Sequence, residues 1–149
     1  PKRESCPFCE NLDGRVIADT DIKQWAFIER LDAVAAFVNP FQMRRGAVLV
    51  VTTRHAGTIL DLSEPEVEAL ARLVRRVAHA IHDAFDPVGL NIFQNNGVAS
   101  SQSIPHYHVH LVPRHLGDSA SEAYWKDAVF IEFDERVRLA EKIARHLPK

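Results

Sequence analysis

Three histidines alternate with other residues in one run, His106-Tyr107-His108-Val109-His110, inside the segment 104–113. Strand side chains alternate faces with a period of two. A strand here projects all three imidazoles from one face and Tyr107, Val109 and Leu111 from the other. Three rings so placed resist being protonated together. Three readings of them compete. One metal ion could take all three, since histidine is a common zinc ligand. The outer rings then start ~13 Å apart at strand rise, which strains convergence on one tetrahedral ion. Alternatively, one neutral imidazole attacks phosphorus while its neighbours and nearby amides hold the phosphoryl oxygens. The third reading is a surface strand that is His-rich by chance. The preceding loop favours phosphate chemistry. Gly97 permits a close backbone approach, and Ser100, Ser101, Gln102 and Ser103 offer donors without formal charge.

A second cluster of reactive groups is Cys6-Pro7-Phe8-Cys9, which holds the only two cysteines. A disulfide there would close a very short loop and stabilise little. A redox pair, half of a zinc site and incidental cysteines are the remaining readings. Redox pairs sit between a strand and a helix, whose N-terminus lowers the thiol pKa. No strand precedes Cys6, and the segment 10–15 reads as a turn, so the zinc reading is favoured.

The elements that must position these groups follow from periodicity. Segments 25–28 and 33–38 read as two strands, with a hairpin turn over 29–32. A Pro- and Gly-marked loop, 39–46, leads into the continuous apolar run 47–51, a central strand. Ser63 caps a long helix, with Pro65 in the first turn and Glu66 completing a capping box. Val67, Leu70, Ala71, Val74, Val77, Ala78, Ile81 and Phe85 form its apolar stripe. Asp86-Pro87 ends it, and 90–94 alternates as a strand should. The polar loop 95–103 leads straight into the histidine strand, which Pro113 closes. Segment 114–121 reads as a loop, and 128–131 as a short strand or the lead-in to a helix. Asp134 caps a last helix with Val137, Ala140, Ile143, Ala144 and Leu147 on its buried face. The order strands, helix, strands, helix with short connections gives an α+β domain, an antiparallel sheet of about five strands with one long helix and a C-terminal helix against it.

Composition bounds the rest. A chain of 149 residues, 46% hydrophobic and 26% charged, is expected to form one globular domain over 1–149. Its net charge of −2 argues against general, charge-driven nucleic-acid binding, although a nucleotide can bind locally through amides and a few polar groups. No apolar run approaches the roughly 20 residues of a membrane span. Segment 1–5 lacks the apolar core of a signal peptide, so a cytoplasmic location is expected.

Segment 102–114, Gln-Ser-Ile-Pro-His-Tyr-His-Val-His-Leu-Val-Pro-Arg, resembles the signature of the histidine triad superfamily of nucleotide hydrolases and transferases: His, apolar, His, apolar, His, apolar, apolar. The resemblance extends over most of the chain, through Cys-x-x-Cys, Asn39-Pro40, the Gly46–Val51 strand ending near His55, and Asn95-Asn96-Gly97. It implies that His108 attacks the α-phosphate of a nucleotide, an adenosine phosphoramidate or a dinucleoside polyphosphate. A nucleotidyl-histidine forms, which water then hydrolyses. His110 would contact the phosphate or the bridging atom, and Gln102 and Ser103 the phosphate and leaving group. Asn39 would face the ribose hydroxyls and Asn95 the same pocket, although turn chemistry also accounts for both. The Cys-x-x-Cys branch implies one structural zinc per chain held by Cys6, Cys9, His55 and His106. The resemblance further implies a homodimer. A nucleotide-binding regulatory protein with little or no turnover is the alternative. Three positions depart from the pattern. Ala47 stands where histidine is frequent after Gly46, Thr52-Thr53 precede Arg54-His55 where Pro-Lys is frequent, and Ser101 stands where glycine is usual.

Overall fold

The computed structural model describes residues 6–15, 24–118 and 127–149. Ten elements follow along them: α1 (Pro7–Leu12), β1 (Phe27–Arg30), β2 (Val34–Val38), β3 (Phe41–Gln42), β4 (Val48–Thr52), α2 (Glu64–Phe85), β5 (Gly89–Gln94), β6 (His108–Arg114), β7 (Val129–Phe130) and α3 (Phe133–Ala144). Five strands form one antiparallel sheet in the order β1-β2-β4-β6-β5, and β3 pairs with β7 in a separate two-stranded sheet. The expected α+β class and five-stranded sheet are present.

Period-two alternation sorts the sheet into two faces. Val34, Ala36, Val38, Val48, Val50, Val109 and Leu111 bury one face against Leu70, Leu73, Val77, Ala80 and Ile81 of α2 and Leu139, Ala140 and Ile143 of α3. Each fully buried aliphatic side chain of this kind contributes roughly 1.5–3 kcal/mol. Ala35, Phe37, Leu49 and Val51 point the other way and pack on Phe8, Leu12 and Trp25. His108 stands opposite Val51 and His110 opposite Leu49, so both rings share this second face with α1. A one-residue slip of β6 would drive both imidazoles into the helix-covered core, so the apolar pattern also fixes the histidines.

Four sequence expectations are corrected. Segment 10–15 is not simply a turn: Pro7 at the first helical position starts α1, with Cys6 as its N-cap, and the turn begins only at Asp13. The histidine strand carries two histidines, not three. It begins at His108, and His106 lies in the bent segment before it, its N–H donating to Ile104 O at 2.8 Å. The strand also runs through Pro113 to Arg114. β4 pairs only as far as Leu111, so one side of β6 has no ladder there for the missing proline N–H to interrupt. The cap of α3 is Glu132, with Asp134 inside the first turn.

The cap expected for α2 is present in its acidic half: Glu66 Oε2 accepts from Ser63 N at 2.8 Å and Ser63 Oγ at 2.9 Å. Asp86, in the left-handed region at φ 48°, ends the helix. Arg76 then ties the middle of α2 to β1 through a bidentate pair with Glu29, at 2.6 and 3.0 Å. None of the described helices is long and apolar enough to cross a membrane. The expected loop over 114–121 lies partly outside the described residues.

Candidate functional site

Two sets of chemistry-bearing side chains meet on the α1 face of the sheet, and His106 lies between them. The first set is Cys6, Cys9, His55 and His106, whose ligand atoms all fall within 4.8 Å of one another. His106 Nδ1 lies 3.4 Å from Cys6 Sγ and 3.5 Å from Cys9 Sγ, and His55 Nδ1 lies 3.3 Å from Cys9 Sγ. A tetrahedral zinc with ordinary Zn–S and Zn–N bonds requires S···N edges of ~3.6 Å. The donors already stand at that spacing, and two thiols with two imidazoles are a closed structural set. His106 is also oriented from behind. Its Nε2–H donates to Thr52 O at 2.8 Å, which leaves Nδ1 as the lone-pair nitrogen facing the cysteines. Burial holds the ring's pKa down at about 4. The four residues named from the sequence are the four brought together. The helical start of α1 does this, because Cys6 and Cys9 lie three residues apart and share one side of its first turn.

Sequence reasoning did not single out Arg54. Its guanidinium clamps Glu66 with two 2.8 Å bonds and reaches Asp61 O at 2.7 Å. The pair holds the Glu66 carboxyl down at about 2, chiefly through the Arg54 hydrogen bonds. Arg54 thereby anchors the segment carrying its neighbour His55 to the start of α2.

The second set surrounds a cavity of about 320 Å³ lined by Phe8, Trp25, Asn39, Phe41, Leu49, Ser103, Ile104, His108, His110 and Ala128. At its centre, His108 Nδ1–H donates to His106 O at 2.6 Å. A carbonyl only accepts, so the proton is fixed on Nδ1 and the Nε2 lone pair is left for chemistry. Burial pushes the His108 pKa down, partly offset by that carbonyl bond, and burial pushes His110 down to about 3, with the His108 charge adding to the effect. Both rings are therefore neutral near pH 7. Phe8 caps His108 edge-on at 5.2 Å between centroids.

The cavity draws on the sequence candidates unequally. Asn39, Ser103, His108 and His110 line it; Asn95 and Gln102 do not. Gln102 is committed to the backbone instead. Its Oε1 accepts from Gly97 N at 2.6 Å and its Nε2 donates to Gly57 O at 2.7 Å, which fixes the loop that carries Ser103. Asn39 Oδ1 accepts from Phe41 N at 3.0 Å, so the turn role is present and that bond uses the oxygen of the amide, not its NH₂. The position where glycine is usual, Ser101, keeps the left-handed backbone at φ 66°. A non-glycine residue in that region costs about 1–2 kcal/mol of strain.

Gln42 was also not anticipated. It bonds to four backbone groups, Asn39 O, Ala47 O, Gly46 N and Ala47 N, and so shapes the whole 39–47 loop. Gly46 is required there on two counts: φ is 97°, and a Cβ would come within 2.7 Å of the Phe85 ring. The aromatic wall of Phe8, Trp25 and Phe41 was missed as well.

Comparison with known proteins agrees with this geometry. The HIT domain model matches residues 21–117. The chain is 31% identical over 123 residues to Protein hit of Bacillus subtilis, covering 83% of this chain and 80% of that one. It is 35% identical over 101 residues to the asymmetrical bis(5'-nucleosyl)-tetraphosphatase of Schizosaccharomyces pombe, covering 68% of this chain and 53% of that protein. Among solved structures, a zinc-bound histidine triad family protein from Mycobacterium smegmatis superposes with a TM-score of 0.76 at 26% identity, covering 97% of this chain and 96% of that one. A family model over most of the chain, a full-length relative and a matching fold converge: the chain belongs to the histidine triad (HIT) superfamily.

Proposed function

We propose that the protein is a nucleotidyl hydrolase or transferase that cleaves at the α-phosphate of adenosine phosphoramidates or dinucleoside polyphosphates through a nucleotidyl-His108 intermediate. The observation that carries this reading is the His108 Nδ1–H to His106 carbonyl bond, which presents a neutral nucleophilic Nε2 to the cavity. The apolar end of the cavity, Phe8, Trp25, Leu49 and Ile104, suits a nucleobase, and Asn39 offers its amide to the ribose. His110 and Ser103 then sit with the phosphoryl oxygens and the leaving group. In the first step a P–Nε2 bond forms and the bond to the leaving group breaks, its electron pair departing with that group. The His106 carbonyl bears on the positive charge gained by the His108 ring. Water then attacks phosphorus, the P–Nε2 bond breaks, and the nucleoside monophosphate leaves with His108 neutral again. Most of the catalysis comes from positioning and charge stabilisation, as phosphoryl chemistry requires.

Cys6, Cys9, His55 and His106 would hold a structural zinc. Its contribution is rigidity: His106, whose carbonyl orients the nucleophile, would be pinned by a metal bond on its own side chain. The test of the activity is turnover of an adenosine phosphoramidate and of a dinucleoside tetraphosphate by the wild-type chain. Release of nucleoside monophosphate from either supports the reading. Nucleotide binding with no turnover of any member of the panel contradicts it and supports a regulatory binding protein.

The homodimer expectation belongs to the same proposal. β5 is an edge of the sheet and carries the half-exposed Ile92, and Val67, Leu70, Ala71, Val74, Tyr107 and Val109 line an apolar groove between α2 and the start of β6. A second copy pairing along β5 would cover both the open strand and the groove. Sedimentation equilibrium is expected to give twice the chain mass, and Ile92→Lys to give the single-chain mass. A wild type that stays at the single-chain mass at micromolar concentration contradicts the dimer.

A further inference from the structure

His110 is flanked by an aromatic ring from its neighbouring strand. Phe93 stands directly opposite His110 in the β5–β6 ladder. The two rings lie face to face, with centroids 4.6 Å apart and planes within 7°. His108, on the other side, meets His110 at 4.9 Å and 64°, a tilted contact that leaves the ring plane of His110 less defined. Next along the same face, Ala47, Met43 and Val112 form a small apolar cluster against which Phe93 and Ala128 pack. Ala47 gives that wall only a methyl group, so the flat surface beside His110 comes from Phe93. Phe93 is not among the residues lining the cavity, so it acts through His110 rather than on a ligand.

The χ2 torsion of histidine is broad and two-fold, so the plane of an imidazole is open to what packs against it. A parallel aromatic face removes much of that freedom, and pairs of this kind exceed their area burial by an amount equivalent to roughly a three- to tenfold effect. We propose that Phe93 is a positioning residue: its ring holds the His110 imidazole in the plane from which it meets the phosphoryl group or the bridging atom. This rests on the function proposed above.

The test is Phe93→Leu, which keeps an apolar side chain and removes the flat face, alongside Phe93→Tyr, which keeps the face. For Phe93→Leu, kcat is expected to fall roughly tenfold with KM held within about twofold. Phe93→Tyr is expected to keep kcat within about twofold of wild type. A readout that needs no substrate separates this claim from its parent: the ring ¹⁵N and ¹H resonances of His110 in the nucleotide-free protein. They are expected to move in Phe93→Leu and to hold in Phe93→Tyr. Unchanged His110 resonances in Phe93→Leu overturn the positioning role, as does a kcat loss that Phe93→Tyr shares equally. If wild type turns over nothing, the proposed function fails and the resonances alone decide whether Phe93 orients His110.

Discussion

Replacing His108 with alanine is expected to reduce release of nucleoside monophosphate by about 10⁴-fold or more, the scale on which a covalent nucleophile matters. Nucleotide affinity is expected to stay within about threefold, because Phe8, Trp25, Leu49, Ile104 and Asn39 still line the cavity. No neighbouring ring can take over. His106 has one nitrogen on Thr52 O and the other facing the cysteines, and the ring of His110 is stacked on Phe93. The substitution also removes a buried hydrogen bond and the edge contact with Phe8, at a cost of about 1–3 kcal/mol. Melting temperature, measured beside activity, shows that the loss is chemical: an alanine variant that melts within several degrees of wild type yet turns over substrate at a comparable rate contradicts the assignment.

Removal of metal carries the second large effect. Purified protein is expected to contain close to one zinc per chain by elemental analysis. Cys9→Ser is expected to lose it, since Cys9 Sγ lies within ligand spacing of both His55 and His106. A ligand that binds only the folded state at a thousand times its Kd adds about 4 kcal/mol of stability. In a domain of this size that corresponds to a melting shift of about 8–16 °C. Chelation is therefore expected to lower the melting temperature by about that much without unfolding the chain. The helix-covered core of α2, α3 and the sheet does not depend on the four ligands. Activity is expected to fall with the metal, because His106 would both ligate it and, through its carbonyl, orient His108. Protein purified free of metal that melts identically with and without added zinc contradicts the site and returns the cysteines to the redox or incidental reading.

Legibility differed between the sheet and the loops. The alternation in β5 and β6 and the continuous run of β4 follow from burial periodicity, and the sheet matched them; the expected stripe of α2 holds at Leu70, Val77 and Ile81, while Val67 and Ala71 are exposed and Leu73 and Ala80 are buried beside it. Short elements closed by distant partners were less legible. β3 lies inside the expected 39–46 loop, and β7 falls within 128–131, read as a short strand or the lead-in to a helix; only their mutual pairing makes these two-residue segments strands. α1 was hidden because a six-residue helix carries no repeat, and Pro7, which marks its first turn, was not used as a helix-start signal. His106 looked like a strand residue because a period of two continues through it. Pro105 and the turn from Ile104 take it off the ladder and toward the cysteines. Within the site, residue type located the histidines and cysteines but could not separate ligand binding from internal bracing. Gln102 and Asn39 both present amides, yet Gln102 spends its amide on Gly97 and Gly57, while Asn39 spends only its oxygen. Gln42 and Phe93 were overlooked for the same reason, since their roles lie in what they touch across the fold.

The central claim is that His108 Nε2 becomes covalently bonded to the α-phosphorus during turnover. Rapid acid-free quenching of the wild type with an adenosine phosphoramidate, followed by proteolysis and mass spectrometry, tests it most directly. The account predicts a single nucleotidyl adduct on the peptide that contains residues 106–110, assigned by fragmentation to His108 and absent from His108→Ala. Full turnover with no adduct at any quench time, or an adduct assigned to His110 or His106, would contradict it.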